Sequence, residues 1–128
     1  MSEKENISLP LLLGNQLFKR CFPAYNVLYK LYKRCVDRYE RVLLRDIIKP
    51  GMTVVDVGAN IGIYTAYMAK IVGKEGRVYA FEPSPHTFNL LKKYNKNLNV
   101  TLVQAAVGDT TGRITLYLSD KLNVDHHT

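Results

Sequence analysis

The spacing of hydrophobic residues changes once along this chain, near residue 49. Before that point apolar side chains recur every three to four positions, which predicts amphipathic helices from about residue 11 to residue 48. Pro23 predicts a boundary near the start of the clearest helix, and Pro50 followed by Gly51 predicts the end of the last one. The apolar positions of the clearest helix are Ala24, Leu28, Leu31 and Cys35. We therefore predict a helical lead-in over residues 1–48 and a second domain over residues 49–128.

After residue 49, short β-branched runs alternate with helical segments. The predicted strands lie at residues 53–57, 77–82, 100–105 and 113–118, and the predicted helices at residues 61–72 and 85–95. Ser84 followed by Pro85 is typical of a helix start. In that helix Phe88, Leu91 and Leu98 are expected to face the sheet. Alternation of this kind predicts an α/β domain built on a parallel sheet.

The first predicted strand runs directly into a loop with two glycines, Asp56-x-Gly58-x-x-x-Gly62. Gly58 is expected to permit a sharp turn, and Gly62 to leave room for a ligand at the start of the next helix, where free N–H groups point outward. A dinucleotide fingerprint would read G-x-G-x-x-G without the acid. The Asp56 carboxylate would repel a pyrophosphate but suits a cation or an ammonium group, as on the amino-acid end of S-adenosylmethionine.

A second acid, Glu82, ends the next predicted strand, 26 residues after Asp56. An acid at the tip of the second strand is placed to accept both hydroxyls of an unphosphorylated ribose. The two carboxylates together favour a sulfonium nucleoside over a phosphorylated cofactor.

Three segments carry a family resemblance: D-V-G-A-N-I-G at 56–62, A-F-E-P-S-P at 80–85 and A-A-V-G-D at 105–109. In these the chain resembles the FkbM family of S-adenosylmethionine-dependent methyltransferases, over roughly residues 40–120. The resemblance implies a Rossmann-like class I methyltransferase fold that binds S-adenosyl-L-methionine. The cofactor contacts that it implies are Asp56, Gly58, Ala59, Asn60, Gly62, Glu82, Pro83, Ala106 and Asp109.

The family pattern continues, after the point where this chain stops, to a fourth strand with a K-I-D-x-E-G-type segment. We therefore expect a truncated domain, namely the cofactor-binding half, which is inactive when isolated. The resemblance implies O-methyl transfer to a sugar or small-metabolite hydroxyl, and no catalytic base can be assigned. The alternative is a non-catalytic cofactor-binding or interaction fragment. A nicotinamide-dependent oxidoreductase is disfavoured by Asp56.

The charge of the chain is +7, and most of the excess lies in the lead-in, where residues 1–50 carry ten basic and five acidic side chains. A basic stripe would form if one helix ran on unbroken through Lys30, Arg34, Arg38, Arg41 and Arg45. We interpret it as a solvated face, with weak contact to an anionic membrane surface as the alternative. No nucleic-acid-binding module accompanies it, so no nucleic acid is expected.

Strand 53–57 is predicted to need neighbours on both edges and both faces. If it lacks them, we expect marginal stability or self-association through the uncovered sheet edge.

Cys21 and Cys35 are predicted to be free thiols in a reducing, cytoplasmic compartment, because a helix would hold them ~21 Å apart. No signal peptide is evident. His126 and His127 lack the partners of a metal site, and no metal is expected. Tyr64 and Tyr67 are expected in the core or its rim, and His86 at the surface.

Overall fold

The computed structural model of the chain describes residues 9–97 and 99–117. The residues cluster into two compact units, of which the first has its described residues at 9–38 and the second at 39–97 and 99–117. The expected division into domains at residue 49 stays a prediction. The interpretations of the first eight residues, of Leu98 and of His126 and His127 concern positions outside the described residues.

The first unit contains two helices, α1 (Leu9–Arg20) and α2 (Phe22–Val36). The break lies at Cys21, and Pro23 occupies the first turn of α2, where its missing N–H costs nothing. The helices meet through aromatic rings, since the Phe18 centroid lies 5.2 Å from that of Phe22 and 5.1 Å from that of Tyr25. Of the predicted apolar positions of α2, Leu28, Leu31 and Cys35 are exposed.

The predicted basic stripe is not carried by one continuous helix. Helix α2 ends at Val36, and Asp37 leaves the helical conformation with φ −86° and ψ 36°. The Asp37 carboxylate lies 2.8 Å from Lys33 Nζ, and the backbone N–H of Asp37 donates to the Lys33 carbonyl. A new helix, α3 (Arg38–Ile47), starts after it. The helix is therefore interrupted at Asp37, so the unbroken helix on which the single basic stripe depended is not present.

The second unit is built on three parallel strands in the order β1-β2-β3. They are β1 (Thr53–Val57), β2 (Arg77–Phe81) and β3 (Val100–Val103), connected by α4 (Ile63–Val72) and α5 (Pro85–Tyr94). The register pairs Val57 with Phe81 and Phe81 with Val103, so all three strands end at one edge. The predicted β-α-β-α-β order is confirmed.

The helices cover one face of this sheet. Val72, Val78 and Leu91 are fully buried, and Leu44 and Ile48, at and after the end of α3, pack against the same core as Met68 of α4. The sheet-facing prediction for Phe88 and Leu91 is thereby confirmed. In burying Leu91 the α5 helix stabilises the unit by about 2–5 kcal/mol relative to alanine at that position.

The other face of the sheet is open at its first strand. Val55 is 57% exposed and Val57 60% exposed, because strand residues alternate between faces and these two point away from α4. Within the described sheet β1 is also an edge strand. Parallel strands are ordinarily covered on both faces, so this apolar surface is a candidate contact surface.

The predicted fourth strand is not seen. Residues 113–117 lie outside any strand, and Ile114 and Tyr117 are exposed; position 118 is not described. The β-branched residues of this segment favour an extended chain, but a strand also requires a hydrogen-bonded neighbour, and none pairs with these residues in the described sheet. Among the described helices none is both long and apolar enough to cross a membrane.

Candidate functional site

The candidate site lies at the edge where the three parallel strands end. Asp56 is the fourth residue of β1, and Glu82 follows the last residue of β2 directly. Because Asp56 pairs with Ala80 in the register, the two acids stand at the same edge of the sheet. Their roles in cofactor binding stay predictions.

The loop from residue 58 to residue 62 is shaped by three residues in the left-handed backbone region. They are Gly58 with φ 76°, Asn60 with φ 51° and Gly62 with φ 83°. The carbonyl oxygen of Phe81 accepts hydrogen bonds of 2.9 Å from the N–H groups of both Gly58 and Ala59. A Cβ on Gly58 would meet nothing within 4 Å, so that glycine is required for its backbone conformation and not for space.

Gly62 has a different reason to be glycine. An added Cβ would lie 2.5 Å from Cδ1 of Leu91, in α5, and closer still to Nδ2 of Asn95, which follows α5 directly. The room that Gly62 leaves on its Cβ side is filled by α5 and Asn95, and its role toward a ligand stays a prediction. Asn95 Nδ2 also donates to the Ile61 carbonyl across 3.1 Å. Leu91 and Asn95 therefore pack against the loop at Gly62 and Ile61.

Glu82 is only 5% exposed, and its carboxylate binds two backbone N–H groups. Oε2 accepts from Asn60 N–H and Oε1 from Ser84 N–H, each across 2.9 Å. One buried carboxylate therefore joins the loop after β1 to the start of α5. Each oxygen retains a second lone pair, so Glu82 can still accept hydrogen bonds from a ligand.

Asp56 is partly buried, and its Oδ2 accepts a hydrogen bond of 2.6 Å from Thr65 Oγ1. Burial raises the pKa of the Asp56 carboxyl above its ordinary value of 3.8, because the charged form loses solvation, while the Thr65 hydrogen bond opposes that rise. Thr65 itself is fully buried in the first turn of α4.

The remaining predicted residues are less tightly grouped. Pro83 is partly buried beside Glu82, whereas Ala106 and Asp109 are exposed in the loop that follows β3. His86 is exposed, as predicted. Since β3 ends beside β2, the 104–112 loop starts at the site edge.

The tyrosines of α4 act in packing, as predicted. Tyr64 packs against the core, and Tyr67 donates its hydroxyl to the Arg41 carbonyl across 3.0 Å. The Arg41 guanidinium also lies over the Tyr67 ring. No three His, Cys, Asp or Glu residues of residues 9–97 and 99–117 come together as metal ligands.

Three residues that support the site were not predicted: Thr65, Ser84 for its backbone N–H, and Asn95. A signal existed for Thr65, a short hydroxyl side chain in the first turn of a largely apolar helix, nine positions after the strand acid. Ser84 was predicted only as a helix cap, and its Oγ does accept a hydrogen bond from Thr87 N–H. Asn95 gave no signal, because its partner Ile61 lies 34 positions away.

Comparison with known proteins points to one family. The family model described as Methyltransferase FkbM domain matches residues 56–127, more than half of the chain. Among curated proteins, a protein-L-isoaspartate O-methyltransferase of Triticum aestivum is 35% identical over 78 residues, covering 61% of this chain and 32% of the relative. One of the same name from Methanococcus maripaludis is 36% identical over 61 residues, covering 48% and 29%. The chain thus spans about a third of the length of the curated relatives it matches.

A solved structure supports the fold. A candidate rRNA methylase from Clostridium thermocellum superposes with a TM-score of 0.50 at 29% identity, covering 53% of this chain and 39% of that one. Together with the parallel three-stranded sheet, this confirms the predicted Rossmann-like class I methyltransferase fold.

Proposed function

This chain belongs to the FkbM methyltransferase family, and on that premise we propose that it binds S-adenosylmethionine for methyl transfer to a hydroxyl oxygen. The observation that carries the proposal is the pair of carboxylates at one sheet edge, with Glu82 fixing the intervening loop through Asn60 N–H. The proposed cofactor contacts are Asp56, Gly58, Ala59, Asn60, Gly62, Glu82, Pro83, Ala106 and Asp109.

The donor and acceptor groups present fit this cofactor. Asp56 Oδ1 accepts no hydrogen bond from the described residues and suits an ammonium group. Glu82 has spare lone pairs on both oxygens and suits the two hydroxyls of a ribose. The space that a Gly58 side chain would fill is open, so a ligand can approach the backbone there. A phosphate group, by contrast, would meet two carboxylates.

The bound cofactor would supply an electrophilic methyl group on a sulfonium sulfur. The contribution of this chain is to hold the two ends of that molecule, with Asp56 at the amino-acid arm and Glu82 at the sugar. Because Glu82 and Asn95 fix the loop before any ligand arrives, little ordering is required on binding. Preorganisation of this kind favours transfer by orientation.

We propose a sugar or small-metabolite hydroxyl as the acceptor. Family membership and the two relatives named as O-methyltransferases support oxygen as the receiving atom. The test is transfer of a labelled methyl group to a panel of sugars, hydroxylated metabolites and isoaspartyl peptides, with this chain alone and with an acceptor half supplied in trans. Labelling of the isoaspartyl peptide alone would refute the proposed acceptor class.

Cofactor binding is tested by isothermal titration of the folded chain with S-adenosylhomocysteine, with NAD as the competing ligand class. We expect saturable heat with S-adenosylhomocysteine and weaker or no heat with NAD. Glu82→Ala should weaken binding by about 1–3 kcal/mol, because ribose hydroxyls would lose their acceptor. Tighter binding of NAD than of S-adenosylhomocysteine would refute the proposed cofactor.

The exposed face of α2 is a proposed contact for an anionic membrane surface. Leu28 and Leu31 are exposed, Lys30 and Arg34 lie on the same helix, and residues 9–36 contain no acid. The chain should pellet with vesicles that contain phosphatidylserine at low salt and be released at high salt. Equal binding to neutral vesicles would refute the role of charge.

For the open β1 edge we propose a second copy of the chain as the partner. The position of β1 at the edge of the described sheet supports that partner, and so do Val55 and Val57, which are exposed on the open face of the same strand. Sedimentation should show association that depends on concentration and weakens in Val55→Lys.

We also propose a cytoplasmic location, which the exposed free thiols Cys21 and Cys35 support.

A further inference from the structure

Thr65 is a polar side chain in an otherwise largely apolar helix, and the structure gives it a specific partner. It is fully buried, and its hydroxyl donates to Asp56 Oδ2 across 2.6 Å. That length is typical of a hydroxyl bound to an ionised carboxylate. A hydroxyl has one proton to donate, so this bond uses the whole donor capacity of Thr65.

The bond makes the two oxygens of Asp56 different. Oδ2 is held by Thr65, whereas Oδ1 is without a hydrogen bond to residues 9–97 or 99–117. Asp56 is only partly buried, so one side of its carboxylate stays accessible. Because Asp56 lies on β1 and Thr65 on α4, the hydrogen bond fixes the carboxylate between two packed elements and orients Oδ1.

We infer that Thr65 is a positioning residue, which orients the Asp56 carboxylate so that Oδ1 accepts a hydrogen bond from the ammonium group of the cofactor. The inference rests on the proposed function, since it requires a cofactor with an amino-acid arm. It goes beyond that function in assigning the selectivity for this arm to a residue that does not touch the cofactor.

The charge state of Asp56 supports the same role. Burial raises the pKa of this carboxyl and so favours the neutral form, which would bind an ammonium poorly, and the Thr65 hydrogen bond opposes that effect. Titratable groups on the elements packed against β1 are Tyr64, Tyr67 and Lys70 of α4 and Arg77, Tyr79 and Glu82 in or after β2. Burial is the larger influence on the pKa of Asp56 and raises it, and the Thr65 hydrogen bond is the influence that lowers it.

The experiment compares two substitutions that divide the threonine side chain. Thr65→Val keeps the shape and removes the hydroxyl, and Thr65→Ser keeps the hydroxyl and removes the methyl group. Each is titrated with S-adenosylhomocysteine and with 5′-methylthioadenosine, which has the nucleoside and the sulfur but no amino-acid arm. Thr101→Val, in β3, is the matched control for loss of a threonine hydroxyl elsewhere.

We expect Thr65→Val to weaken S-adenosylhomocysteine binding about tenfold and to leave methylthioadenosine binding within about twofold. The two ligands differ because only S-adenosylhomocysteine has the ammonium group that Asp56 would bind, so only its affinity depends on how Asp56 is oriented. Thr65→Ser and Thr101→Val should stay close to the wild type with both ligands. An equal loss for both ligands would assign Thr65 a purely structural role, and an unchanged affinity of Thr65→Val would also overturn the inference.

A measurement without ligand separates failure of this inference from failure of the proposed function. Carbon NMR titration of the Asp56 carboxyl should give a higher pKa in Thr65→Val than in the wild type or in Thr65→Ser. Absence of S-adenosylhomocysteine binding by the wild type would refute the proposed function and the ammonium partner. Identical Asp56 titrations in all three proteins would refute the control of Asp56 by Thr65, whatever the ligand results.

Discussion

Glu82 should be more important for folding than an acid that only contacts a ligand. Its buried carboxylate accepts two backbone N–H groups, from Asn60 and Ser84, each at 2.9 Å. Glu82→Gln keeps the shape but offers one acceptor oxygen, and it turns an NH₂ donor toward the second N–H. One hydrogen bond to a charged group is lost, at about 1.5–3 kcal/mol, and a buried donor is left without an acceptor.

We therefore expect Glu82→Gln to lower the free energy of unfolding by about 2–3 kcal/mol, a large part of the 5–15 kcal/mol typical of a domain. Glu82→Ala should cost at least as much, because both N–H groups lose their acceptor. The measurement is urea unfolding followed by circular dichroism at constant pH. S-adenosylhomocysteine titration of the same variants, under conditions where they are folded, reports the separate loss of ribose contacts.

Asp109→Asn is the matched control, since it also neutralises one carboxylate of the same candidate site but at an exposed position. Its unfolding free energy should stay within about 0.5 kcal/mol of the wild type. The reasoning would be refuted if Glu82→Gln were as stable as Asp109→Asn, because the two backbone hydrogen bonds would then contribute nothing.

Two further predictions follow from the geometry of the loop and of Asp56. Gly62→Ala should lower the unfolding free energy by about 1–3 kcal/mol, because the new Cβ would overlap Leu91 and Asn95 and because alanine is strained at a positive φ. The control is Gly108→Ala, whose Cβ would meet nothing within 4 Å. Equal melting temperatures for the two variants would contradict the prediction. The pKa of Asp56 is raised above 3.8 in the folded state, so around that pH the folded chain holds a proton on Asp56 more often than the unfolded chain does. This residue therefore contributes stability below about pH 3.8, and the contribution is lost as the pH rises through the folded-state pKa. Asp56→Asn should therefore gain stability relative to the wild type between pH 3.5 and pH 7 in urea unfolding, and a constant difference across that range would contradict the sign.

Local signals predicted most of the secondary structure correctly. The β-branched run of β1 and the Ser84-Pro85 helix start are encoded within a few residues, and both were predicted at or near their observed bounds. The signals failed in two places. The chain leaves the helical conformation at Asp37 although the apolar periodicity continues past it, and residues 113–117 have the composition of a strand but no partner in the described sheet.

By itself the sequence determined the parallel β-α-β order and, through it, that Asp56 and Glu82 share one edge, because parallel strands joined by helices must end on the same side. Only the tertiary structure decided what holds those acids. Glu82 meets Asn60 across 22 positions of sequence, and Asn95 meets Ile61 across 34. Such contacts depend on how helices pack against the sheet, and the spacing of residues along the chain does not encode that packing.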